Sequence, residues 1–129
     1  MAVAQPRPDL AAHTRAVRAT FPEVVDELRA LLGARLVAYL GAVGETRAVH
    51  QWAAGERRPG EAVQARLRLA LQVALMIADA DGAAIARSWL QGLNPQLDDR
   101  SPARMLREGD VQEVGPAVIA AARAFLVGG

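Results

Sequence analysis

The sequence predicts an all-α protein about one domain in size, and three observations support this prediction. The chain of 129 residues contains 28 alanines, and all 15 of its basic residues are arginines. Both residue types rank high in helix propensity. Aromatic residues make up only 4% of the chain, whereas all-β domains usually need more aromatic and β-branched residues. Apolar and polar residues nowhere alternate over more than a few positions, which argues against strands.

The N-terminal part is predicted to contain an arm followed by helices. Residues 1–20 are expected to form this arm or a short helix, since the first eight include two prolines and residues 9–19 are rich in Ala and Arg. Asp9 is the expected cap of the short helix. Pro22 in a first turn, with apolar residues at helical spacing behind it, predicts a second helix that ends at Gly33.

Two shorter helices joined by a tight turn are predicted next. The first covers residues 35–43, and Gly44 is expected to take positive φ in the turn that follows. The second covers residues 45–54 and ends at Gly55. The charged run 56–60 then forms an exposed connector.

A long helix from residue 61 to about residue 80 is predicted to be the centre of the fold. Its apolar positions lie on nearly all sides, which is typical of a helix buried on several faces. The same pattern suits a dimer interface, so the sequence leaves open whether residues 69–78 are buried within one chain or between two. That apolar run is about half as long as a membrane-spanning helix needs to be.

The C-terminal part is predicted to contain three more helices. Residues 83–90 form the first, and a loop rich in Gly, Asn, Pro and Asp covers residues 92–99. Ser101 and Pro102 are the expected cap and first turn of a short helix that ends at Gly109. The last helix is expected to be capped by Asp110 and kinked at Gly115-Pro116.

The composition excludes several classes of function. The chain has no Cys, which excludes disulfides, zinc fingers, thiol catalysis and iron–sulfur ligation, and its two His are too few for an ordinary metal site. It has no glycine-rich phosphate loop and no nucleophile elbow. The Asp79/Asp81 and Asp98/Asp99 pairs are better explained as solvated helix ends and loop residues than as an acid/base pair. We therefore expect neither an enzyme nor a bound cofactor or metal.

The net charge of +1 is unevenly distributed. Residues 1–68 carry ten arginines against seven acidic residues, a charge of +3, and residues 69–129 carry five against seven, a charge of −2. This asymmetry indicates two surfaces with different partners. The first residues contain no apolar core of a signal peptide, so a cytoplasmic location away from the membrane is expected.

The segment around the predicted tight turn has the pattern of a helix-turn-helix, with Val49 and Trp52 facing inward as packing residues. The outward face of its second helix, and the connector behind it, carry side chains that can hydrogen-bond base edges or phosphates. An ordinary helical hairpin with solvated polar residues is the competing interpretation. The predicted DNA-binding residues are Thr46, Arg47, His50, Gln51, Arg57 and Arg58.

A second informative segment covers residues 87–126. Its physical pattern is two helices around a tight loop, with Trp89 anchoring the loop and Asn94 and Ser101 capping or bracing it. The residues that stand in a fixed order along it are Trp89-Leu90, Asn94-Pro95, Leu97, Ser101-Pro102, Leu106, Gly109 and Glu113-Val114.

Together the two segments resemble the Xre/MbcA/ParS family of antitoxins, which pair with RES-domain toxins. The resemblance covers roughly residues 22–126, and its back part lies in the ordered residues just given. Where the family often has a Gly pair, this chain has Asp98-Asp99, so a different local conformation is expected there. Residues 1–20 match nothing in the family. The matching residues of the front part are Thr46-Arg47, Val49, Trp52, Gly55 and Pro59.

The resemblance implies a function and a division of the chain. Toxins of this family are cytoplasmic NAD-degrading enzymes, and the antitoxin silences them by covering the NAD pocket; family members also dimerise and repress their own operon. The implied regions are an arm or short helix (1–20), a DNA-binding helix-turn-helix (21–60), and a central helix with a toxin-binding module (61–129). Arg123 and Phe125 are expected to reach the toxin's pocket, since an aromatic beside a guanidinium is a typical interface anchor. The predicted toxin-binding residues are Trp89, Asn94, Pro95, Arg100, Ser101, Pro102, Arg104, Gly109, Arg123 and Phe125.

Two other functions remain open from the sequence. One is a stand-alone helix-turn-helix transcriptional regulator with a C-terminal dimerisation domain and no toxin. The other is a toxin-binding protein whose DNA-binding surface has decayed, since a net charge of only +1 is low for an operator-binding protein.

Overall fold

The computed structural model describes residues 8–128, which form eight α-helices and no β-strand. The predicted all-α fold is therefore confirmed for this part of the chain. Of the arm predicted for residues 1–8, residues 1–7 lie outside the described part, and Pro8 belongs to the first helix. A single turn of 3₁₀ helix covers Pro95–Leu97. None of the helices within residues 8–128 has the length and apolarity needed to cross a bilayer. The helices are α1 (Pro8–Arg18), α2 (Phe21–Leu32), α3 (Ala34–Leu40), α4 (Thr46–Ala53), α5 (Glu61–Asp81), α6 (Ala83–Gln91), α7 (Pro102–Glu108) and α8 (Val111–Leu126).

Helix α5 is the centre of the molecule, as its all-round apolar pattern predicts. Helices α1, α2, α6 and α8 pack around it, and residues 70–77 are all buried. Even Gln72 is only 8% exposed, and its amide hydrogen-bonds His13 and the backbone carbonyl of Asp9 on α1. The question left open by the sequence is thereby answered: a single chain buries the apolar run of α5.

One apolar core includes buried residues from all eight helices. Helix α1 packs against α5, α2 packs against α5 and α6, and α3 packs against α7, so contacts cross both predicted boundaries, after residues 20 and 60. The predicted helix-turn-helix region and the predicted C-terminal module consequently pack on one core within residues 8–128. This arrangement brings α7 beside α3, although they are far apart in the sequence.

Side-chain caps explain where three of the helices begin. The Ser101 hydroxyl accepts the Arg104 N–H at 3.1 Å at the start of α7, and the Asp110 carboxylate accepts the Gln112 N–H at 2.7 Å at the start of α8. Both caps were predicted. Helix α2 begins with a capping box between Thr20 and Glu23, which the sequence analysis missed.

The predicted cap of α1 is wrong. Helix α1 already includes Pro8, so Asp9 lies in its first turn, where it is 6% exposed and pairs with Arg123 of α8. The reason is tertiary: α8 passes the start of α1 and supplies a guanidinium to the buried carboxylate. Pro116 lies inside α8, which continues unbroken from Val111 to Leu126.

Arginines from distant parts of the chain bind the C-terminal ends of three helices. Arg68 donates to the carbonyl of Ala16 within α1 and to the carbonyl of Ala19 just after it, both at 2.7 Å. Arg87 donates to Leu31 of α2 at 3.1 Å. Such cations satisfy the unpaired carbonyls of the last turn and oppose the negative end of the helix dipole. Helix α3 has two of these donors, namely Arg66 to Leu40 at 3.2 Å and Arg107 to Tyr39 at 2.8 Å.

The turn after α3 differs from the prediction in length and in the residue that takes positive φ. Helix α3 ends at Leu40 rather than at residue 43, and Ala42, not Gly44, has a φ of 57°. The Ala42 N–H donates to the Tyr39 carbonyl and the Val43 N–H to the Ala38 carbonyl, which is the hydrogen-bond pair of a Schellman motif. The left-handed residue therefore directly follows the helix cap.

Candidate nucleic-acid interface and C-terminal module

The α3–turn–α4 segment is held by the packing of its second helix. Val49 and Trp52 of α4 are buried as predicted, and the Trp52 ring lies 6.3 Å from the ring of Phe21 on α2. Gly41 in the turn makes this possible, because a Cβ there would lie 2.9 Å from two atoms of the Trp52 ring. The pair of helices is thus a firmly packed unit in which the opposite face of α4 is free of the core.

That opposite face carries the predicted DNA-binding side chains of α4. Arg47 and His50 are exposed, and Thr46 and Gln51 are half-buried. The guanidinium of Arg29 on α2 donates to Nδ1 of His50 at 2.8 Å. Because an arginine can only donate, Nδ1 is the acceptor, and the ring proton of the neutral imidazole lies on Nε2.

The connector after α4 folds back against the end of that helix. The backbone N–H groups of Glu56 and Arg57 both donate to the Gln51 carbonyl, at 2.9 and 3.4 Å. The Arg57 side chain donates to the Gln51 side-chain oxygen at 3.5 Å. This brings Arg57 to the outward face of α4, whereas Arg58 is exposed and lines neither of the recesses beside that helix.

Two recesses flank the start of α4 and share the turn residues and Arg47. The larger, of about 630 Å³, lies between α3, the turn and α7. The smaller, of about 360 Å³, lies between the turn, α4 and the connector. We call the two together the basic groove. Its polar and charged lining residues are Arg35, Tyr39, Glu45, Thr46, Arg47, Gln51, Arg57 and Arg107.

The arginines of the basic groove have no carboxylate partner within the described part of the chain. Four arginines line it against the single carboxylate of Glu45. The ion pairs among residues 8–128 lie elsewhere: Arg15 binds Glu27 and Asp79, and the other pairs are Arg29–Asp26, Arg104–Glu108 and Arg123–Asp9. The groove is therefore an uncompensated positive surface, although the whole chain carries a net charge of only +1.

Three residues of the groove were missed by the sequence analysis. Arg35 stands in the first turn of α3, where a helix-turn-helix contacts the nucleic-acid backbone, so its position was a usable signal. Tyr39 stands about one helical turn after Arg35 on α3, so the same signal applied to it. Arg107 gave none, because α7 reaches the groove only through the packing of α3 on α7.

In the C-terminal module, several predicted toxin-binding residues hold the module's own backbone. The Asn94 side chain accepts the Gln96 N–H at 2.9 Å, and its backbone bonds Leu97, Asp99 and Arg100, which closes the loop between α6 and α7. Asn94 is buried, and Ser101 caps α7. These roles are the capping and bracing that the sequence also predicted.

Other residues of the same set are also explained by packing. Pro102 is buried in the first turn of α7. Gly109 is required because a Cβ there would lie 2.4 Å from Cγ1 of Val114 and 2.9 Å from the Met105 carbonyl oxygen. Arg123 pairs with Asp9, so a contact with a toxin would have to compete with this ion pair.

The remaining predicted toxin-binding residues fall into two groups. The Trp89 and Phe125 rings pack at 6.3 Å and join α6 to α8, both half-buried. Arg100, Arg104 and Gly109 line a small recess of about 140 Å³. Pro95 is exposed and lies in neither group.

Two exposed apolar side chains that lie close in the sequence to the aromatic pair were not predicted. Leu93, four residues after Trp89, is 76% exposed, and Val127, two residues after Phe125, is 87% exposed. We call Trp89, Leu93, Phe125 and Val127 the apolar patch.

The backbone at Asp98-Asp99 also bears on the resemblance. Both residues have positive φ, 55° and 60°, which is the left-handed conformation that glycine adopts without strain. The two aspartates therefore take a conformation in which glycine would be favoured, and the expectation of a local difference from the family stays a prediction.

Within residues 8–128, no three His, Asp or Glu side chains come together in a way that could hold a metal ion. No protein-family model matches the chain, and neither a curated protein nor a solved structure is significantly similar to it. The family assignment thus stays a prediction from the residues quoted above.

Proposed function

We propose that this chain is the cytoplasmic antitoxin of a toxin–antitoxin pair, which acts by binding rather than by catalysis. In this proposal the α3–turn–α4 unit binds operator DNA as a homodimer, and the module from α6 to α8 binds a RES-domain toxin and covers its NAD pocket. The observation that carries the proposal is the basic groove around the start of α4.

The groove supports DNA binding because none of its arginines is paired with a carboxylate within residues 8–128. Arg47 is exposed and has no carboxylate partner within residues 8–128, and Gln51 and Arg57 lie beside it. The Nε2–H of His50 adds a donor on the same helix face. In helix-turn-helix proteins the N-terminal residues of the second helix contact base edges while the first helix crosses the backbone.

The apolar patch supports toxin binding by the C-terminal module. Leu93 and Val127, each within four residues of one member of the half-buried aromatic pair, are the exposed aliphatic side chains that support an apolar interface here. The positive φ values at Asp98-Asp99 support the resemblance as well, since glycine, which the family often has at both positions, adopts this conformation without strain.

Co-expression with the adjacent open reading frame tests the proposal. Only this chain carries the affinity tag, and loss of NAD is measured before and after the purified complex is dissociated. The proposal expects a co-purifying protein that consumes NAD only once it is released. Leu93→Ser in the apolar patch should weaken co-purification, whereas Ile85→Ser, at another exposed aliphatic residue (42% exposed) on α6, serves as the control.

The alternative, a stand-alone transcriptional regulator, predicts a different result from the same preparation. The tagged chain would purify as a lone dimer that binds its own promoter, and no NAD-consuming partner would appear. The basic groove favours this alternative over the decayed-surface hypothesis, because an uncompensated arginine cluster flanks α4.

A further inference from the structure

The larger recess of the basic groove contains two arginines from outside the turn and α4. Arg35 lies in the first turn of α3, and Arg107 lies on α7 of the C-terminal module. Both line the recess that adjoins Thr46 and Arg47. In that recess three arginines face the single carboxylate of Glu45.

Arg107 is held in a defined position. Its Nη1 donates to the Tyr39 carbonyl at 2.8 Å, and its guanidinium carbon lies 4.6 Å from the centre of the Tyr39 ring. A guanidinium has five N–H donors, of which this contact uses one. The rest of the planar fork is therefore available to an anion, without the entropic cost of fixing a flexible side chain.

Arg35 differs because it is exposed and makes no ion pair within residues 8–128. The two recesses meet at the turn and at Arg47, so positive charge continues past the start of α4 on both sides. A continuous, open groove of this kind fits an extended polyanion better than a small anion.

We propose that the recess between α3, the turn and α7 is a phosphate-binding subsite for the backbone of duplex DNA, formed by Arg35 and Arg107. The inference rests on the proposed DNA-binding function and deepens it, since it assigns a residue of the C-terminal module to the DNA surface. Arginine forks bind phosphates in a bidentate manner, and such contacts fix the register of a recognition helix without reading sequence.

The test measures binding as a function of salt for matched arginine variants. The probes are fluorescent duplexes of about two helical turns, one from the region upstream of the gene and one of random sequence. The variants are Arg35→Ala, Arg107→Ala and Arg107→Lys. Arg18→Ala is the control for Arg35, because Arg18 is also exposed and makes no ion pair within residues 8–128.

Arg87→Ala is the control for Arg107. Arg87 donates to the carbonyl of Leu31 near the end of α2, as Arg107 does near the end of α3, but it lies outside the groove. A loss of stability alone would weaken DNA binding by both Arg87→Ala and Arg107→Ala. Loss of a phosphate contact would weaken DNA binding by Arg107→Ala only. Thermal unfolding of every variant is measured alongside.

Each alanine variant in the subsite should lower the slope of log affinity against log salt by about 0.9. Binding of both duplexes should weaken by the same factor, about five- to tenfold, because phosphate contacts carry no sequence information. Arg107→Lys should keep most of the slope, since the charge remains. Both controls should bind as the wild type does.

Four results would overturn the inference. If Arg35→Ala and Arg107→Ala keep the wild-type slope, or if Arg87→Ala loses as much as Arg107→Ala, the subsite is wrong while DNA binding through α4 stands. If the wild type binds neither duplex, the DNA-binding proposal fails together with the subsite. Tighter binding to a single-stranded RNA of equal length would exclude duplex DNA as the ligand. Arg35→Ala, at an exposed position, keeps the test valid even if Arg107→Ala does not fold.

Discussion

The groove beside α4 and the loop of the C-terminal module use their polar residues in opposite ways. In the groove, Arg35 and Arg47 make no ion pair within residues 8–128. In the module, the side-chain oxygens of Asn94 and Ser101 accept hydrogen bonds from backbone N–H groups two and three residues further along the chain. The hydrogen bonds of Asn94 and Ser101 indicate structural support, whereas the arginines of the groove keep N–H donors for an anion.

This comparison changes where a protein partner is expected to bind the module. Most of the polar residues predicted to bind the toxin form hydrogen bonds within the module, so their substitution should affect folding first. The apolar patch is the part of the module that the proposed protein partner is expected to cover, with Trp89, Leu93 and Phe125 as anchors.

Gly109→Ala is the largest expected loss of stability and tests the structural role of the motif. The new Cβ would meet the β-branched Val114 and the Met105 carbonyl at the distances given above, so α7 and α8 must move apart. We expect a loss of about 1–3 kcal/mol in the free energy of unfolding. Gly44→Ala is the matched control, since a Cβ at Gly44 has no atom within 4 Å. Equal unfolding midpoints in urea for the two variants would contradict this prediction.

Arg47→Ala should show the opposite behaviour in the groove. Arg47 is exposed and makes no ion pair within residues 8–128, so the free energy of unfolding of Arg47→Ala should stay within about 0.5 kcal/mol of wild type. Affinity for the duplex from upstream of the gene should fall about tenfold, because a charged contact beside the recognition helix is lost. Fluorescence anisotropy and thermal unfolding measure the two effects. Unchanged affinity would remove Arg47 from the DNA surface.

Asn94→Ala separates a buried brace from an exposed polar residue. The Gln96 N–H loses its acceptor, so we expect a loss of about 1 kcal/mol in stability. Asn94→Ser should recover part of it, because serine also caps well. Gln51→Ala, whose side chain bonds only Arg57 among residues 8–128, should cost less than Asn94→Ala. A larger loss for Gln51→Ala would reverse the comparison between the two regions.

Ala42→Gly is the smallest expected effect and acts on the backbone of the turn. Alanine at a φ of 57° is strained, and glycine removes the strain while it adds entropy to the unfolded chain. The net gain should be about 0.5 kcal/mol. Asp99→Gly should gain less, because aspartate tolerates the left-handed conformation better than alanine does. Urea titrations of the two variants measure the gain in the free energy of unfolding. A larger gain for Asp99→Gly than for Ala42→Gly would contradict this prediction.

Local signals in the sequence were sufficient for most helix boundaries. The N-caps Ser101 and Asp110 and the ends at Gly33 and Gly55 follow from neighbouring residues alone, since caps and glycine turns act over a few positions. The turn after α3 was mispredicted because two nearby glycines offered the same signal. The Gly41 approach to Trp52, which decides the packing there, is a contact between helices.

The candidate site was predictable only where its residues share one helix face. Helical spacing placed Thr46, Arg47 and Gln51 opposite Val49 and Trp52 without any tertiary information. Helical spacing could not predict the ion pair between Arg123 and Asp9, because the partners of a side chain across the fold do not follow from its own segment.

The sequence by itself determined the all-α class, the central position of α5, the inward residues of α4 and the capped starts of α7 and α8. Each of these depends on periodicity or on a cap, which are interactions within one turn or one helix face. Only the tertiary structure decided that Arg107 joins Arg35 in the basic groove and that Asp9 binds Arg123. These contacts bring together residues from opposite ends of the chain, and no local rule specifies which helix ends meet when eight helices pack around one core.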